Sequence, residues 1–527
     1  MAEAEELKSV VAMLLVAFSA LAFAHDADES ARPPEKLGKV RFPTSCSASV
    51  QPLFERGVAL LHSFSFAEAL RSFTEVLKRE PSCTIAYWGI GATLLQTSDV
   101  ELWDAKKAVE KGLAAGAKTQ RERDYIAAVA AFYADDRAGS AVRTSRYEAA
   151  MENLAAKYPA DIEASVFYAK ALIIMSDPAD KTFARQLKGA AILEPLFAAY
   201  PDHPGIAHYL IHAYDYPPIA LKGLPAALRY AAIAPSASHA LHMPSHIFTR
   251  VGAWQESVAT NARSEAAARE ENSNGDILHA LDYQIYAALQ LARDRDAADA
   301  LQRVRAAAVL ADSLAGFYAV AAGPARYALE RGDWELAVSL APHPQFTIVA
   351  ALTRYARGYA AARRGNAAAA EGEAAELERL RKELERANDR YWETEVEVQR
   401  LTVLAWANWA KGAREEGLSG MVKAADLEDS SEKSPMTPGR ILPAREVLGD
   451  MLLLVNRPAE ALRAYETSAL HEPNRFRGYF GAAVAARRSG DAAKARAYCT
   501  RLVELAAGGD ARPEVEQAKA YLAGKLN

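Results

Sequence analysis

Six of the eleven histidines in this 527-residue chain fall within the 44 residues from His203 to His246. Even spacing would put about one there. The stretch opens with "HPGIAHYLIHAYDYP" and closes with "HALHMPSHIF". On a helix, His208 and His212 are i,i+4, so both rings leave one face, and Asp215 lies on that face too. This spacing lets one helix present two imidazoles to a metal ion. His239, His242 and His246 follow at i, i+3 and i+7 and share a face of a second helix. His279, in "HALDYQIYAAL" with Asp282 and Tyr283, belongs to a third.

The candidate metal ligands are therefore His208, His212, Asp215, His239, His242, His246 and His279, converging on one shared site with Asp215 and His279 at its edge. Imidazole and carboxylate suit copper, zinc or iron. An inward-facing Met243 thioether would favour copper. Two other readings stay open: a site for a polar or anionic ligand, and a structural hydrogen-bond network. Unpaired buried polar groups cost about 1–3 kcal/mol each, so packing alone would not gather these rings. Tyr209, Tyr214, Tyr216 and Tyr283 stand nearby as hydrogen-bond donors, redox-active groups or ordinary packing. No HExxH, GxSxG, P-loop or Rossmann fingerprint is present.

Helices must position these residues. Alanine is abundant and β-branched residues are sparse, which favours helix. The helix of His208 must end near Asp215, because Tyr216 precedes Pro217 and Pro218. "LPAALRYAAIAP" then returns antiparallel, and Pro244 should kink or restart the next helix. A turn mark recurs along the chain as "GAWQES" from Gly252, "GDWELA" from Gly332, "GNAAAA" from Gly365, "NRPAEA" from Asn456 and "GDAAKA" from Gly490. In each, Gly or Asn ends one helix in a left-handed cap. A small residue five places on lets the next helix pack close.

Ala461 and Ala495 are 34 residues apart, as are Asn456 and Gly490. Gly57, Leu60, Phe66, Ala69, Phe73 and Pro81 have tetratricopeptide spacing. On these residues the chain resembles a tetratricopeptide-repeat protein from about Val50 to Lys525. The segments "LLHSFSFAEALRSF", "CTIAYWGIGATLL", "HPGIAHYLIHAYDYPPIA", "HALHMPSHIFTRVGAW" and "PAREVLGDMLLL" are similar to a family of exported bacterial tetratricopeptide proteins, mostly without assigned activity. The resemblance implies an all-α fold, a right-handed superhelical α-solenoid of tetratricopeptide-like hairpins. Its first helices would line the concave face and bring the histidine helices side by side.

The apolar run from Val10 to Phe23 ends in "AFA", as a signal peptide does, although Glu3, Glu5 and Glu6 outnumber Lys8 before it. The expected organisation is a signal peptide over 1–24, a flexible lead over 25–49, a histidine-bearing array over 50–345 and a second array over 346–527. Export implies a periplasmic or secreted protein and permits a Cys46–Cys83 disulfide, with Cys499 left free. "AAELERLRKELERANDRYWETEVEVQRL" reads as a long solvated helix pair. Asp429–Pro443 is the longest clear loop, either a plain connection or a segment folded over a groove.

The formal charge is −5 and no long block carries one sign. A nucleic-acid binder would need a basic stripe, so nucleic acid is excluded as a partner. Membrane is excluded too once the signal is cleaved. The partner expected in the concave groove is a peptide, a protein or a small molecule. The leading functional reading is an exported solenoid binding protein with a histidine-lined ligand or metal site. Its alternatives are a metal-dependent oxidative or hydrolytic enzyme on the same scaffold, and a pure protein-interaction scaffold.

Overall fold

The computed structural model describes residues 35–95, 99–135, 137–174, 176–177, 179–343 and 346–525. Among these, regular structure is entirely helical. The apolar run at 10–24 lies outside the described residues. Among the described residues, no helix is long and apolar enough to cross a membrane. Residues 37–527 form one compact unit.

Consecutive helices pair as hairpins, and many also touch the next helix but one, as stacked repeats require. The helices that build the site are α1 (Gln51–His62), α2 (Phe66–Arg79), α3 (Ile162–Ile174), α4 (Pro204–Tyr214) and α5 (Leu224–Ile233). They continue with α6 (Ser238–His242), α7 (Pro244–Val251), α8 (Trp254–Glu271), α9 (Asn274–Gln290) and α10 (Leu314–Arg331). From the second array come α11 (Ala444–Leu454) and α12 (Phe476–Arg488).

The turn marks behave as caps. Gly252, Gly332, Gly365, Asn456 and Gly490 all have positive φ, between 57° and 84°. Gly252 has a second reason to be glycine. A Cβ there would sit 2.6 Å from the Asn474 side chain, which comes from the second array. The proline signals hold as well. The helix of His208 stops at Tyr214, and Pro244 starts α7 directly after the short α6.

The expected flexible lead is anchored from Leu37 onward. Phe42 is fully buried and packs against Phe54, Trp88 and Tyr125 with ring centroids 4.9–5.2 Å apart. The Lys39 N–H donates to the Asp202 carbonyl at 2.8 Å. An aromatic anchor in a polar, proline-bearing stretch gives no periodic signal, which is why the sequence alone reads as loose. Cys46 and Cys83 are joined by a disulfide that brackets the hairpin of α1 and α2, and Cys499 is buried and free.

The second array does not stand apart from the first. Trp254 Nε1 donates to the Asn474 carbonyl at 2.7 Å, and α12 packs on α9. The segment Asp429–Pro443 is a strap rather than a plain connection. Arg250 donates to the Pro438 carbonyl at 2.7 Å. Arg326 donates to the Gly439 and Arg440 carbonyls at 2.7 and 2.8 Å. These bonds, with that of the Tyr283 hydroxyl to the Pro435 carbonyl at 3.4 Å, lay the strap across α7, α9 and α10, beside the histidines. The charge-rich segment forms the expected helix pair, Ala367–Arg386 and Arg390–Ala410.

Candidate metal centre

The predicted histidines meet, but as two triads rather than one pool. His208, His212 and His239 form one group and His242, His246 and His279 the other. In each, three ring nitrogens lie within 4.8 Å of one another. A metal–imidazole bond of about 2.0–2.1 Å in tetrahedral geometry needs nitrogens about 3.4 Å apart, so a small inward shift of the rings would close each group on an ion. The groups adjoin: the His212 and His246 ring centroids are 5.8 Å apart, and those of His239 and His242 are 5.9 Å apart.

Backbone architecture explains the partition. Helix α4 touches both α1 and α7, and α6 touches both α8 and α9. The restart at Pro244 divides His239 from His246, so one sequence-adjacent trio supplies both groups. His239 turns toward α4, while His242 and His246 turn toward His279 on α9. His279, expected at the edge, is a full member of the second group.

The outer nitrogens decide the tautomers. His208 Nδ1 lies 2.6 Å from the His62 carbonyl, which can only accept, so Nδ1 carries the hydrogen. His242 Nδ1 lies 2.6 Å from Asn261 Oδ1. The Asn261 amide nitrogen donates to the Ser257 carbonyl, which fixes Oδ1 as an acceptor. His246 Nδ1 lies 2.9 Å from Asp215 Oδ2, which also accepts from Lys433 Nζ, so Nδ1 carries the hydrogen and donates. Asp215 is thus no direct ligand here: it stands behind His246 and orients it, as carboxylates do behind metal-bound imidazoles. The i+7 spacing put it on the right face, but it caps α4 and so falls outside the ring of nitrogens.

With Nδ1 protonated on both rings, the Nε2 atoms of neutral His242 and His246 carry lone pairs. Those two atoms face each other at 3.0 Å. His208 and His212 Nε2 are 3.1 Å apart, and a hydrogen on His212 can serve that contact. Among the described residues, His239 Nε2 is buried with no hydrogen-bond partner.

Burial holds these rings neutral. It lowers His239 and His279 to about 4 and His212 to about 3, and pushes His208, His242 and His246 well below the ordinary histidine range. Burial raises Asp215 to about 7, against the pull of Arg250. Arg250 Nε is 3.2 Å from its Oδ1. Lys433 Nζ from the strap is 3.4 Å from its Oδ2, with the lysine side chain 2% exposed.

A third triad, His62, Glu163 and His203, also has metal-like spacing. Its hydrogen bonds are already complete. His62 Nε2 and His203 Nε2 donate to the two Glu163 oxygens at 2.8 and 2.9 Å. His62 Nδ1 accepts from Tyr209 at 3.0 Å, and His203 Nδ1 accepts from the Ile206 N–H, capping α4. Glu163 lies well below the usual carboxylate range, held there by the two imidazoles against burial. This triad is a brace for the His62 carbonyl that orients His208. Gly205 allows it, since a Cβ there would lie 2.4 Å from His62 Nδ1. Of the other tyrosines, Tyr214 donates to Glu194 at 2.6 Å, Tyr216 packs on Phe183, and Tyr283 lies edge-on to His242 at 4.6 Å.

Two stretches, residues 54–102 and 448–510, match the sequence profile of the tetratricopeptide repeat. Those two stretches carry tetratricopeptide repeats. No curated protein matches it. Solved structures similar to it include the human IFIT1 dimer with PPP-AAAA, at 13% identity over 86% of this chain and 89% of that one, with a TM-score of 0.37. Another is the APC/C hetero-tetramer Cut9–Hcn1, at 12% identity over 92% of this chain and 97% of that one, with a TM-score of 0.29. At those scores neither likeness bears on ligand or activity.

Sequence reasoning missed several residues beside the tetratricopeptide histidines: His62, Phe64, Glu163, Lys170, Asn261 and Lys433. "LLHSFSF" holds two of them, yet His62 stands alone there and its partner Glu163 is 101 residues away. Phe64 has φ 56°, a left-handed conformation strained for a bulky residue. It turns the chain so that the ring stacks on His239 at 5.3 Å and meets His208 edge-on at 4.4 Å.

Proposed function

We propose that this tetratricopeptide-repeat protein binds two transition-metal ions, one in each three-histidine group. The observation that carries the reading is the pair of Nε2 lone pairs of His242 and His246 facing each other at 3.0 Å. In a metal-free site that contact is repulsive, and a cation drawing on both lone pairs relieves it. Three imidazoles without thiolate suit copper, zinc or iron rather than calcium or magnesium. The solenoid of helical hairpins supports binding of protein or peptide partners, as such arrays commonly do.

The test is metal content. Purified protein incubated with copper, zinc or iron and then desalted should retain about two equivalents of the preferred ion. Retention below about a tenth of an equivalent of every ion ends the reading.

One observation favours a catalytic version of the same site. Each group supplies three protein nitrogens, and catalytic zinc sites commonly have three protein ligands with a position left open. Export is also proposed. The Cys46–Cys83 disulfide supports it, since such bonds persist in oxidising compartments. Protein recovered from a secreting bacterial host should begin at His25, and both cysteines should resist alkylation until reduced. Soluble cytoplasmic protein with Met1 intact, its two thiols labelling freely, contradicts export.

A further inference from the structure

Lys170, on α3, is 8% exposed. Among the described residues its ammonium makes no hydrogen bond and no ion pair. Its neighbours are aromatic faces, with Nζ 5.0 Å from the Phe64 ring centroid and 5.8 Å from that of Tyr209. Burial alone acts on it and lowers it to about 8, with no opposite charge in compensation. Cation–aromatic contacts return only about 0.5–2 kcal/mol, far less than a buried charge requires. A side chain nine-tenths buried, whose ammonium has no protein acceptor among the described residues, needs an account.

Its position supplies one. Phe64 contacts both Lys170 and the first histidine group, touching His208, His212 and His239 at centroid distances of 4.4, 5.8 and 5.3 Å. The Lys170 charge is felt directly by His208 and His212, disfavouring their protonation. His239 Nε2 in that group is buried and has no hydrogen-bond partner among the described residues. Two atoms without a protein partner among the described residues, a cationic donor and a lone-pair donor, therefore stand on side chains that both pack on Phe64. Phe64, His212 and His239 are only partly buried, so this side of the group reaches solvent.

We propose that Lys170 and a metal ion on His208, His212 and His239 together bind the carboxylate group of a small ligand. This rests on the metal reading above. One carboxylate oxygen fills the coordination position that three imidazoles leave open, and the other accepts from the Lys170 ammonium. A monoanion suits the wall better than a phosphate dianion does. The site offers one lysine and neutral imidazoles, and the surfaces beside them are the faces of Phe64 and Tyr209, which add no further donors for extra oxygens. The group of His242, His246 and His279 has no such lysine facing an open side, because Lys433 is already engaged by Asp215. The two groups are therefore unequal: one binds metal and ligand, and the other binds metal.

The experiment uses the full chain loaded with cobalt(II), whose visible spectrum reports its ligands. Acetate and inorganic phosphate are the probes. Acetate should change the spectrum of the native protein saturably, and phosphate should bind more weakly. Lys170→Met should keep both cobalt equivalents while weakening acetate at least tenfold. Lys170→Gln, which keeps a polar end, should do the same. Native protein that takes up no cobalt or other ion marks failure of the metal reading itself. Two retained equivalents with unchanged acetate affinity in the variants overturn only the role of Lys170. Phosphate binding tighter than acetate overturns the carboxylate assignment. Loss of cobalt in both variants makes Lys170 part of the metal group's support and also overturns the proposal.

Discussion

His242→Ala should release one of two bound metal equivalents and leave the other in place. His246→Ala should do the same, whereas His208→Ala and His239→Ala should empty the other group. The double variant His208→Ala with His242→Ala should hold none. Each group has three nitrogens, so removing one leaves a two-ligand site, too weak to survive desalting. The expected independence follows from the partition: no histidine belongs to both groups. The helices should stay folded, because repeat arrays draw stability from many neighbouring interfaces and the substitution touches one. Helical circular dichroism within a few per cent of the native signal, with metal counted by elemental analysis, checks both halves. Variants that lose both ions together would mean one indivisible cluster. Variants that lose helicity would make the histidines core structure.

Much of this site was legible because its direct members obey helical spacing. His208 and His212 at i,i+4, and His239, His242 and His246 at i, i+3 and i+7, announce shared faces. The prolines after Tyr216 and at Pro244 announce where those faces end. The turn marks were legible for the same local reason: a left-handed cap demands Gly or Asn wherever it occurs. The split into two triads was not legible. It depends on how far the restart at Pro244 rotates α7 against α6, and no periodicity encodes that angle. The supporting residues were hidden by distance. Asn261 reaches His242 across a hairpin, and Lys433 reaches Asp215 from 218 residues downstream. Each is a single polar residue in an ordinary-looking stretch, and only tertiary packing gives it meaning. Asp215 shows the converse. Its face was right and its role was not, because a face says which way a carboxylate points but not which atom of its neighbour it meets.

Arg475→Met should cost about 3–5 kcal/mol, the cost of breaking a buried ion pair from one side. The Arg475 side chain has no exposure and serves two carboxylates. Its Nη2 lies 2.5 Å from Glu330 and its Nε 2.7 Å from Glu446. A third bond, Nη1 to the Tyr286 hydroxyl at 2.9 Å, ties the same guanidinium to α9. Glu330 is on α10, Glu446 on α11 and Phe476 begins α12, so one residue clips the second array onto the first. Removing the cation leaves two carboxylates buried together. Burial already pushes Glu446 upward, with Arg475 opposing it, so the variant should hold a proton there more readily and lose further stability as pH rises through the unfolded carboxylate range, about 4.3. Arg457 is the control. Its pair with Glu460 is half-exposed, and exposed pairs contribute about 0–1 kcal/mol, so Arg457→Met should melt within error of the native protein. The triple variant Arg475→Met, Glu330→Gln, Glu446→Gln should recover part of the loss by removing the stranded charges. Thermal melts of the three proteins decide it. If Arg475→Met melts like the Arg457 control, the buried network is not what joins the arrays, and the strap and the Trp254–Asn474 contact must do so instead.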